Sequence, residues 1–288
     1  MPKPNHIELP TGEKIPILYE DRSVLVIDKP RGWMLVPFSW QRTDRNLQAA
    51  LTSSIAAKDF WARSRGLKYL RFVHRLDAET SGILLLAKSP GAVNTFGALF
   101  ESRRMEKVYL AVVRGTPQPG QWTCRLRLAP DPEARGRMRV DARQGKEAET
   151  HFRVLQSKGN ATLVEAHPVT GRTHQIRVHL AESGYPVVGD PLYGPQPAKE
   201  KRTLGGGPLT PPAATARQRG ESEGERVPFR AGEGSGETLA LPAKTCGSGF
   251  GLRALGLAYV DAFVRRRVEF RAPLEEFVRE YGFDIPKL

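Results

Sequence analysis

The segment VHRLDAETSGILLLAK, residues 73–88, holds Asp77 between an apolar approach, Phe72 and Val73, and an apolar exit, Ile83 to Leu86. Residues 70–76 and 82–87 make two short apolar segments bracketing the Asp77 loop and its Thr-Ser-Gly turn. A carboxylate beside such strands loses hydration, at a cost of several kcal/mol unless a cation or several donors meet it. Asp77 therefore requires a partner. Arg75 lies two residues away, on the same face of an extended segment; Arg172 and Arg177, distant in the chain, are the other candidates. An arginine beside a carboxylate favours its ionised form, which suits a nucleophile or charge stabiliser better than a general acid. On pattern alone, a capped turn remains the commoner explanation of an Arg-x-Asp pair.

Around this segment the chain reads as strands in runs with helices between them. ILYEDRSVLVID, 17–28, is a strand, a polar turn and a second strand that Lys29-Pro30-Arg31-Gly32 ends. Leu47, Leu51 and Ile55 recur at helical spacing after the N-cap residues Thr43 and Asp44. Ala92, Phe96, Leu99 and Phe100 mark another amphipathic helix, and strands are expected at 107–113, 121–128, 149–155 and 161–166. TGRTHQIRVHLAESG, 170–184, predicts a helix opening near Thr173 with its basic residues in the first half. Residues 252–273 return to strand alternation, and PLEEFVREYGF closes with a short helix. Strands in runs, without the regular alternation of a parallel sheet, point to an α+β fold with a largely antiparallel or mixed sheet.

With 288 residues, 40% of them hydrophobic, the chain can bury a sizeable core. Its 44 Lys and Arg against 31 Asp and Glu give a formal charge of +13, which favours a polyanionic partner. Apolar runs stay far short of the ~20 residues that span a bilayer, and MPKPNHIELPTGEK carries no signal-peptide core. A cytoplasmic protein with no membrane partner is expected. Cys124 and Cys246 encode neither a disulfide framework nor a zinc ribbon. Residues 196–250 hold 10 Gly and 6 Pro in 55 positions without periodicity, and read as an exposed, disordered insertion that carries only +2 of the charge. The expected organisation is a tail over 1–14 and one catalytic domain over 15–288, interrupted by that insertion.

HRLDAETSG resembles the HRLD-x-x-T-S-G signature of the RluA family of pseudouridine synthases, and further segments follow in the family's order. KPRGW at 29–33 is similar to its Lys-Pro-x-Gly motif, KVYLAVV supplies a Lys-x-Tyr strand, and TGRTHQIRVHL with GDPLYG at 189–194 resembles its third motif. The similarity spans 15–194 and resumes weakly after 250. It implies that family's fold, a mixed, mostly antiparallel, bent sheet with flanking helices and a central basic cleft, and isomerisation of uridine to pseudouridine in structured ribosomal or transfer RNA, without metal or cofactor. By the same resemblance Asp77 is the catalytic carboxylate, Tyr109 stacks on the target uracil, and Arg177 pairs with Asp77. Arg75 takes the place of the everted nucleotide or meets phosphate, since a base must leave its stack to be reached, and Arg172 suits RNA backbone. Lys29 and Pro30 read as a fold-setting turn. His74, His174 and His179 have no completing ligand set for a metal.

Two positions depart from the family pattern: MLVP follows the first motif without histidine, and the C-terminal Leu-His-Ala appears as LRA or LGLAY. No S4-type RNA-binding domain is expected ahead of the first strand, and no obligate protein partner; a monomer is expected. The alternatives to a synthase are a non-catalytic RNA-binding, ribosome-assembly protein on the same fold and a metal-dependent RNA hydrolase.

Overall fold

The computed structural model describes residues 2–9, 11–35, 43–194, 249–261 and 265–288. The insertion expected over 196–250 falls almost wholly outside them. Strands β1 (His6–Glu8), β2 (Lys14–Glu20), β3 (Val24–Lys29), β4 (Arg71–Phe72), β5 (Ser81–Ala87), β6 (Glu106–Arg114), β7 (Gln121–Pro130), β8 (Met138–Val140), β9 (Lys146–Lys158), β10 (Ala161–Pro168), β11 (Leu252–Val260) and β12 (Arg267–Arg271) join into one sheet. Its order is β1-β2-β3-β5-β11-β6-β10-β9-β7-β8, with β4 on β5 and β12 on β11. Among the described strands every pairing is antiparallel except β5 with β11. The sheet is therefore mixed and mostly antiparallel, in an α+β fold. The register shifts at Leu163/Val164 in the β9–β10 pair and at Ala254/Gly256 in the β6–β11 pair, the kind of irregularity at which a sheet bends.

Helices cover both faces because the central strands are apolar on both. Leu25, Ile27, Leu84 and Leu86 face α1 (Leu47–Ala56) and α2 (Phe60–Arg63), while Val24, Val26, Ile83 and Leu85 face α3 (Pro90–Glu101). In the other half, Ala111, Val113 and Val164 pack on α4 (Gln175–Glu182), and Leu110, Val112 and Leu163 on α5 (Glu275–Glu280). Of the described helices none is long and apolar enough to cross a membrane.

Three expectations are corrected. The tail contains β1, whose Ile7 is fully buried and pairs with Ile15, so the first residues extend the sheet. Helix α1 is capped by Asn46, whose side chain accepts from the Ala49 N–H, and not by Thr43 or Asp44. Helix α4 begins at Gln175, two residues later than its sequence suggests, because His174 is left-handed with φ of 53° and interrupts the helical path.

Candidate active site

The turn carrying Asp77 is fixed from beneath by Lys29, the last residue of β3. This fully buried side chain donates from Nζ to the carbonyls of Pro30 (2.9 Å), Ala78 (2.8 Å) and Thr80 (2.9 Å), using the three protons of an ammonium. Burial pushes its pKa down to about 7, against the opposing charges of Glu79, Asp77 and Glu13. The Thr80 N–H closes the turn on the Asp77 carbonyl at 3.2 Å, and the Gly32 N–H meets the Ala78 carbonyl at 2.9 Å. The segment that reads as a fold-setting turn is thus the clamp of the Asp77 loop. His74, in the same loop, accepts from the Leu85 N–H at 3.0 Å through Nε2 and stacks on Phe100. Burial, helped by the charge of Lys107, pushes it down to about 3, so this imidazole stays neutral as a structural acceptor.

Asp77 meets its cation from the other half of the sheet. Arg177 donates from Nη1 to Asp77 Oδ2 at 3.1 Å, while its Nε and Nη2 grip Asp190 at 2.8 Å each. Asp190 also accepts from the N–H groups of Leu192 (2.9 Å) and Tyr193 (3.1 Å), so the GDPLYG turn folds around it. Burial alone would raise the Asp190 carboxyl; the hydrogen bonds and charge of Arg177, with those two N–H groups, hold it below its ordinary value. Tyr193 and Phe250 each present a ring 5.1 Å from the Arg177 guanidinium carbon. Held on all sides, Arg177 offers one nitrogen in a fixed direction. Asp77 Oδ1 accepts no hydrogen bond from the described residues and lies 3.8 Å from His174 Nε2.

Asp77, Arg177 and Tyr109 line one cleft of about 410 Å³, with Arg75, Arg103, Lys107 and Arg172 as its further cations and Glu101 as its other acid. Burial and the charge of Asp77 raise the Tyr109 phenol well above its usual pKa, so it stays protonated. Arg75 is exposed at this cleft and makes no ion pair with Asp77; of the candidate partners, Arg177 is the one in contact. Arg172 lies in the turn before α4, not on it, and its Nε donates to the Glu147 carbonyl at 2.9 Å. Gln175, 4% exposed, ties that turn down, accepting from Thr170 Oγ and the Arg172 N–H and donating to the Glu149 carbonyl and Thr150 Oγ. Lys107 Nζ holds the Thr170 carbonyl at 2.8 Å.

The three histidines do not converge. His179 is fully buried against Thr150, and no group of three metal-ligating side chains occurs among the described residues. Residue reading missed the parts played by Asp190, Tyr193, Lys107 and Gln175. Asp190 and Tyr193 were visible only as a turn motif, because nothing in local spacing ties GDPLYG to a guanidinium thirteen residues earlier. Arg253, in the LRA segment, bonds Asp28 at 2.7 Å, Ser81 Oγ at 3.2 Å and the Pro273 carbonyl at 2.9 Å, bracing the exit of the Asp77 loop.

Residues 23–182 match the family model described as RNA pseudouridylate synthase. An uncharacterized RNA pseudouridine synthase of Chloroflexus aurantiacus is 47% identical over 43% of this chain and 39% of its own length. A ribosomal large subunit pseudouridine synthase C of Vibrio vulnificus is 38% identical over 62% of this chain and 52% of its own. The chain thus spans only about two fifths to one half of these curated relatives. Among solved structures, human RNA pseudouridylate synthase domain containing 1 superposes with a TM-score of 0.61 at 25% identity, over 92% of this chain and 87% of that one. The matched region contains the Asp77 turn, the Tyr109 strand and Arg177, and with these relatives it shows that the chain belongs to the RNA pseudouridylate synthase family, in its RluA branch.

Proposed function

We propose that the protein isomerises uridine to pseudouridine within structured RNA, as a cytoplasmic monomer, with Asp77 as its catalytic carboxylate and without metal or cofactor. The observation that carries this reading is the Asp77 carboxylate with one oxygen held by Arg177 at 3.1 Å and the other accepting no hydrogen bond from the described residues, in a cleft shared with Tyr109. Breaking the N1–C1′ bond of uridine leaves an electron-poor sugar carbon, and a carboxylate there stabilises or traps the developing charge, as in retaining glycosidases. The freed uracil turns and rejoins through C5, and the C5 proton leaves. Tyr109 offers a ring for the base to stack on, and the cleft's cations suit the phosphates on either side. The name of the Vibrio relative puts ribosomal RNA ahead of transfer RNA as substrate.

Asp77→Asn should abolish tritium release from RNA carrying 5-tritiated uridine, with the thermal unfolding curve unchanged, and EDTA should leave the wild-type rate intact. Full activity in Asp77→Asn would refute the assignment. A wild-type protein that binds such RNA and releases no tritium would favour the non-catalytic alternative, and activity lost in EDTA would favour the hydrolase.

A further inference from the structure

His174 occupies a backbone conformation that side-chain-bearing residues enter at a cost. Its φ of 53° and ψ of 19° are left-handed, one of four such non-glycine positions among the described residues. The result is that its imidazole, 12% exposed, lies between Tyr193 and Asp77. Nδ1 is 2.9 Å from the Tyr193 hydroxyl and Nε2 is 3.8 Å from Asp77 Oδ1. The Tyr193 oxygen already accepts the Met138 N–H at 2.8 Å, which leaves its own O–H free to donate to Nδ1. A neutral imidazole that accepts at Nδ1 carries its proton on Nε2. That proton faces the one Asp77 oxygen that Arg177 does not hold; the opposite tautomer would turn a lone pair toward a carboxylate.

We propose that His174 is a positioning residue for the uridine isomerisation: Tyr193 fixes its tautomer, and its Nε2–H restrains Asp77 Oδ1 while Arg177 restrains Oδ2. The inference rests on the functional reading above and adds a second restraint to it. The 3.8 Å gap is too long for a hydrogen bond; a small turn of the carboxylate when the cleft fills closes it. The charged and titratable groups facing this imidazole are Asp77, Arg177, Asp190 and Arg75, with Tyr193 at its other nitrogen. Burial outweighs the two carboxylates and, with the two arginines, lowers the imidazole's pKa, so the neutral form is the one present at neutral pH.

His174→Gly relieves the strain at φ of 53° while giving up the buried imidazole and its hydrogen bond with Tyr193, two opposed effects on the melting temperature, so kcat is compared at a temperature where the variant is fully folded. In this variant kcat should fall about tenfold or more with KM nearly unchanged, and His174→Asn, which tolerates the same backbone and keeps a donor, should recover part of the loss. Tyr193→Phe should lower kcat in the same direction, and the double variant should lose less than the two losses combined. A His174→Gly enzyme with wild-type kcat would overturn the inference. Independently of turnover, imidazole nitrogen shifts in the RNA-free protein should show His174 neutral with its proton on Nε2; a proton on Nδ1 would overturn the proposal even in an active enzyme. Because this reading needs no substrate, it distinguishes failure of the His174 inference from failure of the synthase assignment.

Discussion

Arg177 commits two of its nitrogens to Asp190 before the third reaches Asp77, and that order makes Asp190 the residue on which the site's geometry rests. Its side chain is completely buried, and removing its charge leaves the buried Arg177 with Asp77 alone, at a cost of up to about 3–5 kcal/mol. Asp190→Asn should lower unfolding free energy by up to that amount at neutral pH and reduce kcat, as Nη1 loses its fixed aim. The pH dependence carries a definite sign. A carboxyl held below its ordinary value in the fold contributes stability that is fully present above the unfolded pKa of about 4 and lost as pH falls through the folded value. Urea midpoints across pH 2–7 should therefore decline less steeply below about pH 4 in Asp190→Asn than in the wild type; parallel curves would show that Asp190 contributes none of the slope. The need of Asp77 for a cationic partner was legible from the cost of burying a carboxylate, which left Arg75, Arg172 and Arg177 open. The choice of Arg177 among them rested on family resemblance, and its anchoring by Asp190 was not legible at all, because folding, not spacing, joins residues 77, 177 and 190.

At the scale of elements, Gly82 explains why a Thr-Ser-Gly turn opens a core strand. Strand β5 meets β11 in parallel over only Arg253↔Ser81 and Ala254↔Gly82. At Gly82, φ is 110°, and a Cβ there would stand 2.0 Å from the Ala254 carbonyl oxygen. The neighbour is backbone of a central strand and cannot swing away. Gly82→Ala combines that contact with a disfavoured dihedral, and should cost at least about 3 kcal/mol or leave the chain insoluble. A soluble Gly82→Ala protein with an unchanged denaturation midpoint would mean that β5 and β11 are not packed this closely. Most elements could be read because their periodicity is local: Leu47 and Leu51 mark α1, and the run Ile83–Leu86 marks β5. Strand β1 could not, since its three residues gain order only by pairing with β2, and α4 started late because no propensity announces a left-handed histidine.

For the whole molecule, net charge points to a polyanionic partner, and folding gathers cations at one cleft. The +13 balance is spread along the sequence, yet the bent sheet gathers Arg75, Arg103, Lys107, Arg172 and Arg177 around one cleft that holds Asp77. Those cations differ in their freedom. Arg177 is buried in ion pairs, Lys107 holds the Thr170 carbonyl, and Arg172 holds the Glu147 carbonyl, whereas Arg75 is exposed. A cation already neutralised by carboxylates, as Arg177 is, displaces few counterions from RNA, whereas an exposed one that meets a phosphate displaces about one. RNA affinity should therefore fall steeply with salt, and Arg75→Ala should weaken binding while making the slope of log K against log salt shallower by about 1. Titrations of RNA fluorescence anisotropy from low to moderate salt would measure both, with Asp77→Asn as a control that keeps the cleft's cations. An Arg75→Ala slope equal to the wild type's, with kcat reduced, would show that Arg75 fills the place of the everted base and does not neutralise a phosphate.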